Sequence, residues 1–536
     1  MRMRIWVATL SLAAACTNSG ALELQLSLPT DPDLRPTGMT SVSVVASSAE
    51  IGTQTNTSIL DPTPTGGRSF AAGDLPVGKG IQIDVLFHDD SNRLVGVGES
   101  PNRIDIVGDH TTSLAIPVRK PFIYTSSGTK LYSYDPTLDQ RAPKFQATLS
   151  GVTAPLFAVS VGGDRLVLAS ATSLSIIDTA TNTVTGAPIA IPGTVKDAAT
   201  IPNSHRIAVA HTTGISIVDL DSGTVTTGGG VSVDRVTVGP TLDGHLVAYG
   251  LLARVAPPVG PVDACTGTSS LISVDVDMPM ATVTPVSLGQ AVADLAAAPN
   301  TPALFAALPC AGKVARYDNG AFTDVAVLPR AAVLAVSGEK VWAAGTRLSV
   351  PVCGNSQGKV ACTPTALPDC QATSSIQLEY VTTGASLVVE SIPVEGGMAT
   401  EVDVPEPRET MIATNDPARQ HAQVLRALSL QPLDLVALPG GQYVSLITTS
   451  TYFISALGDS TSVILPCLKT ITGDWMLMDM ASSSIAQRVR TRCDLTVGTP
   501  TGSEFPSWVC EDAPVGQTPT LGEYQPTSVG ALFGAR

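Results

Sequence analysis

The sequence predicts an all-β protein in two parts. A small N-terminal antiparallel β-sandwich comes first, and repeated four-stranded sheets closed into a ring follow. Three observations predict this. Gly, Pro, Thr, Ser and Val are abundant, which favours many short strands and turns. An apolar strand, an Asp and a small polar turn recur together as LSIIDTATNTV (174–184), ISIVDLDSGTV (215–225) and WMLMDMASSSI (475–485). Upstream of such copies a strand, a tight turn and a second strand recur, as in FAVSVGGDRLVLAS, AATIPNSHRIAVAH and LVALPGGQYVSLI.

In chain order, the first element is a leader. Arg2 and Arg4 form a basic head, and Ile5 to Ala15 is an apolar run ending in three alanines. That is the layout of a secretory signal peptide, and it is far shorter than the ~20 apolar residues of a membrane-spanning helix. LAAAC resembles a bacterial lipobox, in which small residues precede a cysteine that becomes lipidated. Leu12 lies one residue further from Cys16 than that pattern usually has it, and Ala13 takes its place. The resemblance implies that 1–15 is removed and that Cys16 carries lipid. Thr17 follows where an aspartate would signal inner-membrane retention, so it implies the outer membrane. The alternative is an ordinary leader with an incidental cysteine. Residues 16–20 then form a short tether.

Residues 21–118 lack the later repeat. LELQLSLP, SVSVVASS, IQIDVLFHD, NRLVGVGE and SLAIPV alternate apolar and polar residues between turn signals. This predicts a small sandwich of immunoglobulin or prealbumin type, with a hairpin turning at Asp89–Asn92.

From 119 to 536 the repeat spacing is roughly 40 residues with four short strands per unit, the pattern of β-propeller blades. Third strands are expected to end near Asp135, Asp178, Asp219, Asp275, Asp318, Glu379 and Asp479, giving seven blades to within one. The units are similar to YVTN-type and WD40-like propeller repeats, without the Trp-Asp dipeptide. That similarity implies a fold and no particular activity. Blade one lacks an innermost strand, and the C-terminal PTSVGALFGAR is expected to supply it and close the ring.

The nine cysteines fit this division. Setting Cys16 aside leaves an even set: Cys265, Cys310, Cys353, Cys362, Cys370, Cys467, Cys493 and Cys510. In an exported chain such a set suggests disulfides, and no CxxC spacing favours zinc. In a blade meander the A–B and C–D turns share one rim, and the B–C and D–A connections share the other. The turns GGD, PNS, LDG and NTP make the first rim short. The insertions and all eight cysteines belong to the second. Cys265 and Cys310 fall in B–C loops of neighbouring blades and are expected to pair. The connectivity of the other six is open.

Chemistry is sparse. Only 14% of residues are charged and the net charge is −15, which excludes a broad phosphate-binding surface and hence nucleic acid. No HExxH, GxSxG or phosphate-loop motif occurs. His205 and His211 are too far apart along one strand to share a metal, and His205 and His245 follow equivalent turns. Asp219, Asp221, Asp275 and Asp277 are expected to cap turns rather than bind calcium, which needs six to eight oxygens. The polar stretch 400–421 is expected to be a solvated loop. Arg488, Arg490 and Arg492 alternate on one strand face, as an edge-protecting charge row or as a basic patch for an acidic partner.

No catalytic residue, metal or cofactor is therefore assigned. The expected function is protein binding or scaffolding in the cell envelope. The chain would be held to the outer membrane by lipid and meet an envelope or surface protein through its disulfide-braced loop face. The alternatives are a propeller enzyme of lactonase, lyase or hydrolase type, or a carbohydrate-binding surface module. Small apolar inner strands (AATI, LAAA, LVAL) disfavour the first, and an acid-lined channel would favour it. Aromatic residues are 4% of the chain, with Trp508 one of few candidates for the second.

Overall fold

The computed structural model describes residues 19–531, with breaks of eight or more residues at 60–67, 136–144, 149–156, 362–379, 404–421, 458–466, 497–506 and 511–527 and shorter breaks elsewhere. Residues 1–18 and 532–536 lie outside it, so the leader, Cys16 and its flanks have no structural description.

The strands of the N-terminal domain are β1 (Ser19–Ser27), β2 (Ser41–Ser48), β3 (Gly52–Ile59), β4 (Arg68–Pro76), β5 (Gly78–His88), β6 (Leu94–Glu99), β7 (Ile104–Ile106) and β8 (Thr111–Arg119). Alternating apolar residues on β1, β2 and β5 build its core. Leu22, Leu24 and Leu26 point inward from β1, as do Val42, Val44 and Ala46 from β2. They meet Ile81, Ile83, Val85 and Phe87 of β5 in one core. The β5–β6 hairpin turns at Asp89–Asn92, where Asn92 takes positive φ and Asp89 accepts the amides of Ser91 and Arg93.

The expected antiparallel sandwich needs a correction. β1 pairs with β8 in parallel. Residues 111–117 of β8 pair with β1, and Gly98 and Val97 of β6 pair with its last two residues, Val118 and Arg119. The order is thus one continuous sheet, β3-β2-β5-β6-β8-β1-β4, with β7 beside β5. Right-handed twist carries a strand as long as β8 out of one layer and into the next. The result is a barrel-like sheet around a single core. The sequence patterns miss β3 (GTQTNTSI) and β4 (RSFAAGDLP), which do not alternate.

The described residues beyond 119 form seven four-stranded meanders, called blades I to VII. Their innermost strands are Ser528–Ala531, Phe157–Val161, Val195–Thr200, Arg235–Pro240, Asp294–Ala297, Val333–Ser337 and Ala422–Ala437. Each packs beside the next, and the last packs beside the first, so the ring is closed. Blade I is completed by the C-terminal strand: Ser528 pairs with Ser126 and Ala531 with Ile123. Inner and middle strands are buried on both faces because blades stack face to face. Examples are Val333–Ser337, Leu304–Leu308 and residues 207–211. Outer strands such as Thr183–Ala190 are largely exposed.

Blade VI differs from expectation. Its third strand is Ala385–Pro393, not a segment ending at Glu379, which lies outside the described residues. ASLVVESIP provides the doubly buried apolar run that a middle strand needs: Val388, Val389 and Ile392 are all buried. Within the supposed solvated loop 400–421, Thr400–Asp403 is instead the outer strand of blade VI, paired along Val388 to Ser391.

The Asp of three repeats has a clear role. Oδ1 of Asp178 accepts the amides of Ala180 and Thr181. Asp219 does the same for Asp221 and Ser222, and Asp275 for Asp277 and Met278. These are Asx turns that close the C–D connection. At Asp219 the Ser222 amide, aided by the Ser222 hydroxyl and the Asp221 amide, holds the carboxyl below its ordinary range.

Candidate functional site

The barrel sits on the short-turn rim of the ring. Asn300, in the A–B turn of blade V, donates to Ser47 (2.7 Å) and accepts from Arg103 (3.3 Å). Gln442, in the A–B turn of blade VII, accepts the Leu94 amide and donates to the Asn92 carbonyl, both at 3.0 Å. Arg119 donates to Thr179 in a C–D turn of blade II. Leu86, Leu94 and Val97 of the barrel continue directly into the propeller core at Tyr132, Tyr134, Leu438 and Tyr443.

The same barrel face half-buries an acidic pair. Asp84 and Glu99 oppose each other across β5–β6, and the Gln82 amide donates to both, at 3.2 and 3.1 Å. Burial raises both carboxyls, Glu99 to about 8 and Asp84 to about 6, and the neighbouring Asp84 charge adds to the shift at Glu99.

The opposite rim carries the elaborations. The B–C loop of blade IV follows the strand Leu246–Leu252 and reaches across the mouth of the ring. Val255 donates to Val292 of blade V at 2.9 Å, and Arg254 Nε donates to the Ala293 carbonyl at 2.7 Å. Arg330, entering blade VI, donates to the Pro258 carbonyl, and Gln431 of blade VII approaches the Pro257 carbonyl at 3.5 Å. Cys265 at the far end of this loop is bonded to Cys310 in the B–C loop of blade V, with Cα atoms 5.1 Å apart.

Three further structures share this rim. The B–C insertion of blade VI forms a small sheet of its own from Val352–Asn355, Gly358–Ala361 and Tyr380–Val381. In blade VII the inner strand has 16 residues, against 4–6 in the other blades. Its residues 422–432, with the ends of Tyr443–Leu457 and Cys467–Asp479, project beyond the rim by roughly 30 Å at ~3.3 Å per residue. Register shifts at Ala427/Ser429 and Pro432/Asp434 mark where this extension leaves the blade. Finally, Cys493–Thr496 and Ser507–Cys510 form a two-stranded ribbon after the last outer strand.

Six of the eight expected cysteines fall within described residues, and all six lie on this rim. Besides the bonded pair, Cys353 is in the blade VI insertion sheet, Cys467 begins a strand of blade VII, and Cys493 faces Cys510 across the ribbon. Cys362 and Cys370 lie outside the described residues, as do Arg490 and Arg492. Arg488 lies on the outermost strand of blade VII, opposite Met476.

The inner strands are not wholly apolar, which corrects the sequence reading. Asp197, Asp294 and Asp434 are buried at the loop-rich ends of these strands, one residue upstream of the runs AATI, LAAA and LVAL. They are structural in their bonding. Asp197 accepts the Val236 amide of the next blade at 3.0 Å, and Asp294 accepts the Leu334 amide of the next blade at 2.9 Å. Arg235 lies between them, 3.4 Å from Asp197 and 3.8 Å from Asp294. The channel-facing edge of an inner strand has no neighbouring strand, so its amides need side-chain acceptors. Thr237 serves the same purpose for the Ala297 amide.

A buried His–Ser contact is the nearest approach to a catalytic pair among the described residues. His211 Nε2 lies 2.8 Å from Ser216 Oγ, and both are fully buried. The Thr213 amide donates to Nδ1, so the ring proton sits on Nε2 and points at Ser216. A general base would need the reverse tautomer, and burial holds the ring neutral. His205 is apart from it, paired with Asp221 on the short-turn rim. Among the described residues no group of three or more His, Cys, Asp or Glu side chains is placed to hold a metal. No described helix is long and apolar enough to cross a membrane.

No protein-family model and no curated protein matches the chain. Among solved structures it is similar to hydrazine synthase of Kuenenia stuttgartiensis at 15% identity, covering 57% of this chain and 80% of that one, with a TM-score of 0.34. It is also similar to the β-propeller domain of Cps50 (Swd1) from Myceliophteria thermophila: 11% identity, 61% and 95% covered, TM-score 0.33. The WD40 domain of Neurospora crassa Pan2 gives 11%, 49% and 81%, and 0.31. The fold assignment rests on the strand pairing described above.

Proposed function

We propose that the chain is a protein-binding scaffold of the cell envelope whose binding face is the loop-rich rim. One observation carries the reading. The barrel occupies the short-turn rim through Asn300, Gln442 and Thr179, so the rim left open is the one bearing the insertions and the Cys265–Cys310 bond. Rigid loops on a stiff ring are where binding function concentrates. The inner-strand carboxylates engage backbone amides and Arg235, which favours binding over catalysis in the channel. The lipobox-like LAAAC adds the anchor: Cys16 carries lipid and holds the chain at the outer membrane.

Crosslinking in cells followed by mass spectrometry tests the reading. Crosslinks from residues 253–258, 352–361 and 493–510 to an envelope protein are expected. Crosslinks confined to the barrel, or no envelope protein above background, would overturn it. The anchor is tested separately by Cys16→Ser, which should release the chain from membranes. Unchanged membrane association and processing would end that part of the proposal.

A further inference from the structure

We propose that Cys493 and Cys510 form a second disulfide that closes the ribbon on the loop-rich rim. The two residues are paired in register across antiparallel strands, at the end of a ladder that continues through Asp494–Val509, Leu495–Trp508 and Thr496–Ser507. Directly opposed residues in such a ladder have Cα atoms about 4.5 or 5.5 Å apart. A disulfide requires Cα atoms about 4.4–6.8 Å apart. The bonded Cys265–Cys310 pair, at 5.1 Å, falls in the same window.

The ribbon also needs a crosslink. Each strand has four residues, and among the described residues the ribbon pairs with no other sheet. A two-stranded ribbon of that length is at best marginal in water. The segment joining its strands, VGTPTGSEFP, has ten residues, longer than the two- to five-residue loops that fix a hairpin's register. A covalent link at the open end supplies the constraint that packing does not. The bond forms when the two thiols give two electrons and two protons to a disulfide oxidant, small-molecule or protein, which leaves as two thiols. The presence of Cys265–Cys310 places the chain where that exchange occurs. The inference does not depend on what the rim binds.

Peptide mapping of the full chain tests it, with free thiols blocked by N-ethylmaleimide at lysis and digestion under non-reducing conditions. No Lys or Arg lies between Arg492 and Arg536, so trypsin leaves both cysteines in one peptide. Glu504 lies between them, so a second cut with a glutamate-specific protease separates the halves unless they are bonded. The expected result is two fragments that stay joined until reduction, with neither sulfur alkylated. In Cys510→Ser, one further equivalent of alkylated thiol should appear, at Cys493. Alkylation of either cysteine in the unsubstituted chain, or a bond from Cys493 to any other cysteine, would overturn the proposal.

Discussion

Asp294 of blade V accepts the buried backbone amide of Leu334 in blade VI at 2.9 Å, and its other oxygen faces Arg235 of blade IV at 3.8 Å. One carboxylate thus ties three consecutive blades together at the mouth of the ring. Asp197 of blade III makes the matching link one step earlier, to blade IV alone, through the Val236 amide and the Arg235 guanidinium. Adjacent inner strands diverge too much to pair as a sheet. Side-chain acceptors therefore do the joining, and the ring is stapled where its backbone is least satisfied.

Asp294→Ala should be among the most damaging single substitutions. It leaves the Leu334 amide buried without an acceptor, at a cost of about 1–3 kcal/mol, and it removes one partner of a buried cation, which raises the total toward about 3–5 kcal/mol. Asp294→Asn keeps an acceptor oxygen and should recover part of the loss. Denaturant melts of the two variants check this. Equal, small losses in both would mean the contact is incidental.

The acidic pair on the barrel sets a pH dependence with a definite sign. Glu99 and Asp84 have folded values of about 8 and about 6, above the ordinary carboxyl range. The folded chain therefore holds protons that the unfolded chain has released, and stability falls as pH rises through that window. The contribution is complete below the ordinary carboxyl values and gone above about pH 8. The pair lies on the barrel face that meets the propeller, so docking should weaken first. Melting temperature measured from pH 5 to 8 should decline, and Glu99→Gln should flatten the decline. A profile unchanged by that substitution would place the slope elsewhere.

Most of the propeller is legible in the sequence, because each blade repeats the same local problem. Asp178, Asp219 and Asp275 mark their turns in sequence as in structure, since an Asx turn is a local device. The pairing of Cys265 with Cys310 also follows from repeat geometry. What escapes is set by distant partners. Asp294 looks like an isolated charge until Leu334 and Arg235, far along the chain, are brought to it. The parallel β1–β8 pair joins the two ends of the barrel domain, and no local pattern announces it. The blade VII extension is hidden because a strand that outgrows its sheet keeps the same alternation.

Removing the Cys265–Cys310 bond should cost stability without disturbing the core. The residues are 45 apart in sequence, and closing a loop of that size is worth about 4 kcal/mol in the unfolded chain, less any native strain. The Cys265→Ser/Cys310→Ser pair should lower the melting temperature, and a reductant should then have a smaller effect than on the unsubstituted chain. A variant that melts with the parent would show that the loop is held by its hydrogen bonds to Val292, Ala293, Arg330 and Gln431 without the disulfide.

Gly239 is required for the approach of two inner strands. A Cβ there would stand 2.6 Å from Cβ of Ala297 in the next blade, closer than real carbon contacts allow. Gly239→Ala should cost about 1–3 kcal/mol by overpacking. Ala297→Gly should relieve it in the double variant. Simple additivity of the two single effects would rule out the clash as the cause.

The ring seam gives the sharpest test of the architecture. The strand Ile123–Ser127 has two neighbours: Lys130–Tyr134 on one side and the C-terminal Ser528–Ala531 on the other. Deleting 528–536 leaves blade I with three strands and exposes the amides and carbonyls of Ile123 to Ser126 at a raw edge. The inner strands of blades II and VII, which pack against that strand, lose their shared neighbour. The truncated chain should therefore melt earlier, become sensitive to limited proteolysis in blades I and VII, and associate at its edge. A synthetic peptide of the sequence PTSVGALFGAR, added during refolding, should restore resistance by re-occupying the slot. A truncated chain that resists protease as well as the parent would mean that the ring is closed by something other than this strand.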